Sequence, residues 1–395
     1  MQIFFSQGDY SVSDRVYICG QAVHCALGDD MERVIDSMKT NRVQVVNIPL
    51  SLIDSNFSRP YYRLSAKDSD RTQGSEKYYY DVLFDTIEAA IDDAGLSPDE
   101  IEALPVFFGS TSNDIPIYED TYETSRNVLS QTSPGYGNIA NDIANHFNIK
   151  AACYTFTTAC TSSANGIIFA ADMIAQGFIN RALVVGYDLF SNLGFYGFES
   201  LKLISPSPCK PFDKSREGII LGEGCGALIL DQKSKTPNDF HYLGGANVCD
   251  TYSVTTHNPA GDQIAAVMRE ALNRAGVGSH QIDAVKAHAT GSYHNDLTEG
   301  NGLKQIFIDQ IPPVTGLKPF IGHTVGACGV IELILYTEAI KRGFLPATLG
   351  FEEIDDEINI EPITEPVSIQ PGIFLLNYFG FGGNCVSLVV SNKTE

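Results

Sequence analysis

A chain of 395 residues, 44% of them hydrophobic, can bury a large core, either as one large domain or as two closely packed halves. Its formal net charge of −22 argues against nucleic acid or anionic membrane as a general partner, because both repel it at long range. Nine cysteines without a CxxC pair or metal-ligand spacing point away from a disulfide framework and towards a reducing compartment.

Taken in chain order, the amino end "MQIFFSQGDYSVSDRV" lacks the basic and apolar regions of a signal peptide. No later run approaches the ~20 apolar residues of a membrane span, so the expected location is cytoplasmic. Apolar, β-branched runs follow ("RVYICG", "PVFFGS", "RALVVG", "GALILD") and alternate with helix-period stretches such as "YYYDVLFDTIEAAIDDAGL" and "IIFAADMIAQGF". This alternation is the α/β signature. The pattern then recurs: "DDAGLSPDEIEALPVFFGS" and "NRAGVGSHQIDAVKAHATGS" share an Ala-Gly helix stop, an isoleucine, an acid, an alanine and a strand. Helices ending "AQGF" at Gly177 and "KRGF" at Gly343 also match. A duplicated α/β unit is expected, with halves 1–235 and 236–395 meeting near "LDQKSKTPND".

Counting back seventeen residues from Gly177 reaches Cys160, and from Gly343 reaches Gly326, so the two loops are pseudo-equivalent. A pseudo-twofold would bring them together. Cys160 lies in "TTACTSSANG", between the strand-like "AACYTFTTA" and a helix-period run. Most free cysteines are simply buried. Here, however, the thiol is placed at a helix amino terminus, where the macrodipole and free N–H groups favour thiolate. Small neighbours leave room for a carbonyl, and Gly166 lets another backbone pack close.

A nucleophilic cysteine needs groups of adjustable protonation. His288 closes "DAVKAHATGS" and is followed by Asp296 and Glu299, which can order its loop, while His323 sits among small residues at the entry to an apolar helix. The other six histidines carry no second clue. Lys318 and Glu332 flank the His323 loop in apolar surroundings, so a buried pair that biases an imidazole is expected rather than an exposed one. "NYFGFGGNC" lacks P-loop and dinucleotide spacing, and reads as a flexible glycine-rich turn that carries Phe379 and Phe381 and presents backbone N–H groups.

These residues resemble the elongating β-ketoacyl-acyl carrier protein synthases, of the thiolase-like fold. The resemblance spans nearly the whole chain on five ordered motifs: "TTACTSSANG", "KPFDKSREGIILGEGCGALIL", "HATGSYHNDLTEG", "KPFIGHTVGACGVIE" and "NYFGFGGN". It implies a layered αβαβα arrangement, Cys160 as acylated nucleophile, His288 and His323 as the decarboxylating pair, and Lys318 with Glu332 as supporting charges. It further implies Asp296 and Glu299 as structural acids, Phe379 and Phe381 as a gate, and the N–H groups of Cys160 and Phe381 as the oxyanion hole. Neither metal nor bound cofactor is implied. The substrates would ride on the phosphopantetheine of acyl carrier protein, and a homodimer or a heterodimer with a chain-length-factor-like homologue is expected. A thiolase-type acyltransferase, which Cys385 and Cys328 invite, stays as an alternative, weakened because Cys385 follows the glycine turn in a strand and Cys328 lies inside the His323 helix entry; a chain-length-factor-type partner subunit is the other alternative, and it and a cysteine hydrolase fit the Cys-His-His set less well.

Several positions depart from the family. Ala289 stands where glycine is usual, Tyr378, Asn384 and Cys385 differ around the gate, and Ser112 replaces a bulky residue that often blocks the acyl pocket; Thr255 is a second pocket candidate. These departures point to a specialised polyene or polyketide enzyme, with the aryl polyene ketosynthases as the first comparison. Carrier docking is expected on Arg59, Arg63, Lys67 and Arg71, which recur every fourth residue and would form a helical basic stripe. Lys202, Lys210, Lys214 and Arg216 make a second candidate patch.

Overall fold

The computed structural model describes residues 15–52, 55–64, 76–125, 135–237 and 239–394. In chain order the strands are β1 (Val16–His24), β2 (Val46–Leu52), β3 (Ser55–Tyr61), β4 (Val106–Gly109), β5 (Cys153–Phe156), β6 (Arg181–Asp188), β7 (Gly224–Asp231), β8 (His241–Cys249), β9 (Ala284–Lys286), β10 (Val314–Thr315), β11 (Phe344–Leu345), β12 (Val367–Ser368), β13 (Ile373–Gly380) and β14 (Asn384–Ser391). The helices are α1 (Met31–Lys39), α2 (Glu76–Ala94), α3 (Pro98–Glu102), α4 (Ile115–Ser125), α5 (Asn138–His146), α6 (Ser162–Ala175), α7 (Asn192–Ser200), α8 (Asp262–Ala275), α9 (Tyr293–Ile306), α10 (Lys318–Ile321) and α11 (Cys328–Lys341).

The described residues form a ten-stranded mixed sheet in the order β10-β9-β13-β14-β8-β1-β7-β6-β4-β5. Its two ends repeat one pattern. From the edge inward, β5, β4 and β6 are parallel and β7 and β1 antiparallel; likewise β10, β9 and β13 are parallel and β14 and β8 antiparallel. Only Val16–Tyr242 and Tyr17–His241 join β1 to β8.

Helix α2 packs on β1 and β7, and α8 on β8 and β14, as the outer layers. Between the two halves of the sheet, α6 lies against α11, touching β4 and β6 on one side and β8 and β14 on the other. That central position explains why α11 is buried at every residue from Cys328 to Ile340, whereas α2 buries only one face through Val82, Leu83, Ile87, Ala90 and Ile91. The layers are therefore α, β, α, β, α. Each of α2, α6, α8 and α11 ends at a glycine with positive φ, at Gly95 (69°), Gly177 (72°), Gly276 (67°) and Gly343 (82°). Glycine there accepts the left-handed turn that satisfies the last carbonyls.

Two expectations need correction. The segment from Arg59 to Arg71 does not begin as a helix: Arg59 lies on β3, Arg63 follows that strand, and Lys67 and Arg71 lie outside the described residues. The run "SNFSRPY", with aromatic Phe57 and Tyr61, pairs with β2 instead. The glycine-rich "NYFGFGGNC" is also mostly strand. Phe379 belongs to β13, and only Phe381–Gly383 turns before β14 resumes.

Candidate active site

Cys160 occupies a one-turn 3-10 segment, Ala159–Thr161, immediately before α6. The corresponding segment before α11 is Val325–Ala327. Both loops are forced into the left-handed region just before the turn, with φ of 51° at Ala159 and 45° at Val325. For a β-branched residue such a φ is costly, and it persists only where the surroundings overdetermine it. Asp188, at the end of β6, supplies part of that constraint by accepting the N–H groups of Thr111, Ser112 and Gly326 and the Ser110 hydroxyl. It thus ties the β4 loop to the His323 side. Burial pushes its carboxyl up to about 6.

The thiol and the two imidazoles meet. His323 Nε2 lies 3.0 Å from Cys160 Sγ, and the rings of His288 and His323 are 5.2 Å apart and nearly perpendicular. All three side chains are buried, at 5%, 2% and 3% exposure, in a space closed to bulk water. The expected resting thiolate is overturned by that burial, which pushes the Cys160 thiol up to about 12 against the opposing pull of Lys318. Desolvation of a sulfur anion outweighs the helix terminus. The resting pair is therefore neutral thiol beside neutral imidazole, with His323 placed to take the proton as the sulfur attacks.

Lys318 fixes the second histidine. Its Nζ lies 2.7 Å from the His288 carbonyl oxygen, 3.2 Å from His288 Nδ1 and 2.8 Å from Glu332 Oε1. An ammonium has only donors, so His288 Nδ1 accepts and the ring proton sits on Nε2. Burial, then the Lys318 charge, holds both imidazoles well below their usual 6.5. Glu332 is held below the ordinary carboxylate value despite burial, chiefly by Lys286 and then by Lys318.

The backbone of the His288 loop is clamped by two acids. Glu299 accepts the N–H groups of His288 (2.8 Å) and Ala289 (2.9 Å), and burial pushes it up to about 7. Asp296 accepts the N–H groups of Thr290, Gly291 and Phe212. This clamp lets Ala289 keep φ at 45°, a conformation glycine adopts without cost.

The gate residues divide. Phe379 is 2% exposed and its ring lies 5.6 Å from that of His288. Phe381 is half-buried, its ring 5.5 Å from Phe198, and its N–H points at Cys160 Sγ together with that of Cys160 itself. A Cβ at Gly380 would lie 3.0 Å from the Cys160 nitrogen, so a side chain there would push the strand end a few tenths of an ångström from Cys160. Ser112 is half-buried in the loop whose neighbour Thr111 donates to the Ala159 carbonyl at 3.2 Å. Thr255 is exposed on the loop after β8.

Of the docking candidates among the described residues, all but Lys202 are paired with acids. Arg59 makes a two-pronged pair with Glu199 at 2.9 and 3.0 Å. Arg63 meets Glu223 at 3.4 Å with its guanidinium 4.0 Å from the Phe190 ring centroid. Lys210 pairs with Glu352, Lys214 with Glu353 and buried Arg216 with Asp355; Lys202 stays exposed. Cations spaced along a chain reveal nothing of acids that fold against them.

Sequence reading passed over Lys286, Asp188 and His257. A lysine inside the buried strand run "DAVKAH" and an acid closing "RALVVGYD" were the available signals, since a charge among apolar strand residues requires a partner. His257, whose ring lies 6.0 Å from Phe379, carried no local signal.

Comparison with known proteins agrees with this geometry. Residues 13–236 match the family model described as Beta-ketoacyl synthase, N-terminal domain, and residues 242–352 match Beta-ketoacyl synthase, C-terminal domain. A chloroplastic 3-oxoacyl-(acyl-carrier-protein) synthase II from Arabidopsis thaliana is 26% identical over 414 residues, spanning 95% of this chain and 75% of that protein. Among solved structures, a chain of the ketosynthase in complex with its chain length factor from Xenorhabdus doucetiae is 26% identical with a TM-score of 0.83, covering 97% of this chain and 99% of that one. The ishigamide ketosynthase/chain length factor is 25% identical with a TM-score of 0.84, covering 96% and 100%. The chain belongs to the β-ketoacyl synthase family, acyltransferases of the thiolase-like fold.

Proposed function

We propose that this chain is the catalytic ketosynthase of a fatty-acid or polyketide pathway and joins malonyl carrier protein to an acyl group held on Cys160. The observation that carries this reading is the 3.0 Å approach of His323 to the Cys160 sulfur, beside an imidazole whose Nε2–H is fixed by Lys318. In the first half-reaction Cys160 Sγ attacks the acyl thioester of a carrier phosphopantetheine. The thiol proton passes to His323 and on to the departing pantetheine sulfur, while the N–H groups of Cys160 and Phe381 hold the oxyanion. In the second, the carboxylate carbon–carbon bond of malonyl thioester breaks and carbon dioxide leaves with the bond's electrons retained as an enolate. His288 donates its Nε2–H to the enolate oxygen, and His323, whose Nε2 no longer faces a thiol proton once Cys160 is acylated, donates in the neutral tautomer that carries its ring proton on Nε2. The enolate carbon attacks the Cys160 thioester, and expulsion of the cysteine sulfur, which then takes up a proton, gives a β-ketoacyl product. Lys318 and Glu332 orient His288, Asp296 and Glu299 hold its loop, and Phe379 and Phe381 gate the approach.

The substrates arrive on acyl carrier protein, and the reaction as written uses no metal or redox group. The likeness to ketosynthases solved with chain length factors supports a heterodimer in which this chain is the active member, since it keeps Cys160 and both histidines. The proposed role is a specialised polyene or polyketide one, of aryl polyene type, with Ser112 widening the acyl pocket. Residues 1–235 and 236–395 act as two halves, one carrying the nucleophile and the other the histidines. No described helix is long and apolar enough to cross a membrane, in keeping with a cytoplasmic carrier-protein substrate. The test is mass spectrometry after incubation with acyl and malonyl carrier protein. The wild type should show an acyl adduct on Cys160 and a product longer by two carbons, and Cys160→Ala should lose both; chain extension by Cys160→Ala would sink the reading.

A further inference from the structure

The lysine beside His288 has a companion. Lys286 is the last residue of β9 and is fully buried. Its Nζ lies 2.6 Å from Glu332 Oε2, 2.7 Å from the Asn377 carbonyl oxygen and 3.6 Å from the centroid of the Tyr378 ring. Three acceptors match the three N–H bonds of an ammonium, one more than a neutral amine offers. Glu332 is therefore shared, with Oε2 on Lys286 and Oε1 on Lys318. The contacts run unbroken from Lys286 through Glu332 and Lys318 to His288.

A single lysine on Glu332 would make a neutral pair; two leave a surplus positive charge in a buried space. We propose that Lys286 is a positioning residue for the decarboxylation step: it clamps Glu332 so that Lys318 keeps hold of His288 Nδ1, and its charge keeps both imidazoles uncharged and able to donate N–H to the enolate. This inference rests on the proposed function. The direction of the histidine shifts agrees, since burial, Lys318 and Lys286 all lower both rings. The other ionisable groups around the rings do not cancel the charge. Glu299 and Asp296, from α9, spend their oxygens on backbone N–H groups. Asp188, from β6, does the same with the β4 loop and Gly326. His257 adds only a further positive influence on His288, and the thiols of Cys160 and Cys328 are pushed up by burial.

The test compares the full-length wild type with Lys286→Met and Lys286→Gln, using malonyl-pantetheine as probe and following acetyl-pantetheine formation across the pH range. Both variants should lose roughly tenfold more rate at the acid end than at the alkaline end, the factor carried by one pKa unit. A uniform loss at every pH, with the acid limb unmoved, overturns the proposal and leaves Lys286 a packing residue. A second readout needs no turnover: in spectra of 15N-histidine protein, with the two signals assigned by His288→Ala and His323→Ala, the imidazoles should take up protons at higher pH in the Lys286 variants. Unchanged titration overturns the proposal whatever the rates do. If the wild type fails to decarboxylate the probe, the proposed reaction is struck, and the histidine titration alone decides the role of Lys286.

Discussion

The chemistry of Cys160 depends on where its proton goes rather than on a resting anion. With the thiol pushed up to about 12 and His323 held well below 6.5, neither partner is charged before substrate arrives. Charge then develops only in the transition state, where the Cys160 and Phe381 N–H groups wait for it. A pH dependence follows. In the proposed mechanism decarboxylation needs both imidazoles neutral, and both are held below the ordinary 6.5, so the acid limb of kcat/KM should fall below pH 6.5. Stability has the same sign. Below 6.5 the unfolded chain takes up protons that the folded imidazoles refuse, so the histidine contribution to the unfolding free energy falls with pH. Steady-state rates across pH check the first statement, and urea midpoints of the wild type against His288→Gln check the second. An acid limb at or above 6.5 would show that the imidazoles are not held below their ordinary value.

At the scale of elements, the site exists because α6 and α11 meet at a glycine, with the small Ser163 side chain hydrogen-bonded between them. A Cβ on Gly329, in the first turn of α11, would lie 2.3 Å from the Ala164 nitrogen and 2.7 Å from Ser163 Oγ on α6. Such a contact cannot relax by rotating a side chain. Gly329→Ala should therefore cost ~1–3 kcal/mol of stability through overpacking. The close approach expected at Gly166 is milder, because a Cβ there first meets Val184 Cγ1 at 3.4 Å. Gly166→Ala should cost well under half as much. Thermal and urea unfolding of the pair measure the difference, and equal losses would contradict this account of the α6–α11 contact. The pseudo-equivalence of the Cys160 and Gly326 loops was legible in glycine spacing alone, because helix stops repeat where helices repeat. The matching left-handed residues Ala159 and Val325 were not, since neither residue type favours that conformation and only the Asp188 tie and helix contacts enforce it.

At the scale of the whole molecule, β5 is the edge of the sheet, and all four of its residues are only half-buried. Phe169 on α6 is 45% exposed beside it, its ring within 6.1 Å of Phe107, Tyr154 and Phe156. An edge left unpaired among the described residues, next to the exposed Phe169, is a surface that association would cover. Phe169→Asp should shift the protein from dimer to monomer in light scattering at matched concentration; an unchanged mass would remove this face from the assembly. The sequence by itself determined the α/β class, the repeated order of elements, and the cysteine and histidine loops that the fold brings together. Each of these is written in local periodicity or in a short motif, where neighbours in the chain are neighbours in space. Only the tertiary structure decided that the thiol rests protonated, that a second lysine shares Glu332, that Arg59 and Arg63 are held by Glu199 and Glu223, and that Phe379 is strand rather than turn. These outcomes depend on burial and on charges brought together from distant segments, and the free energy of a charge is set by its surroundings rather than by its neighbours in the chain.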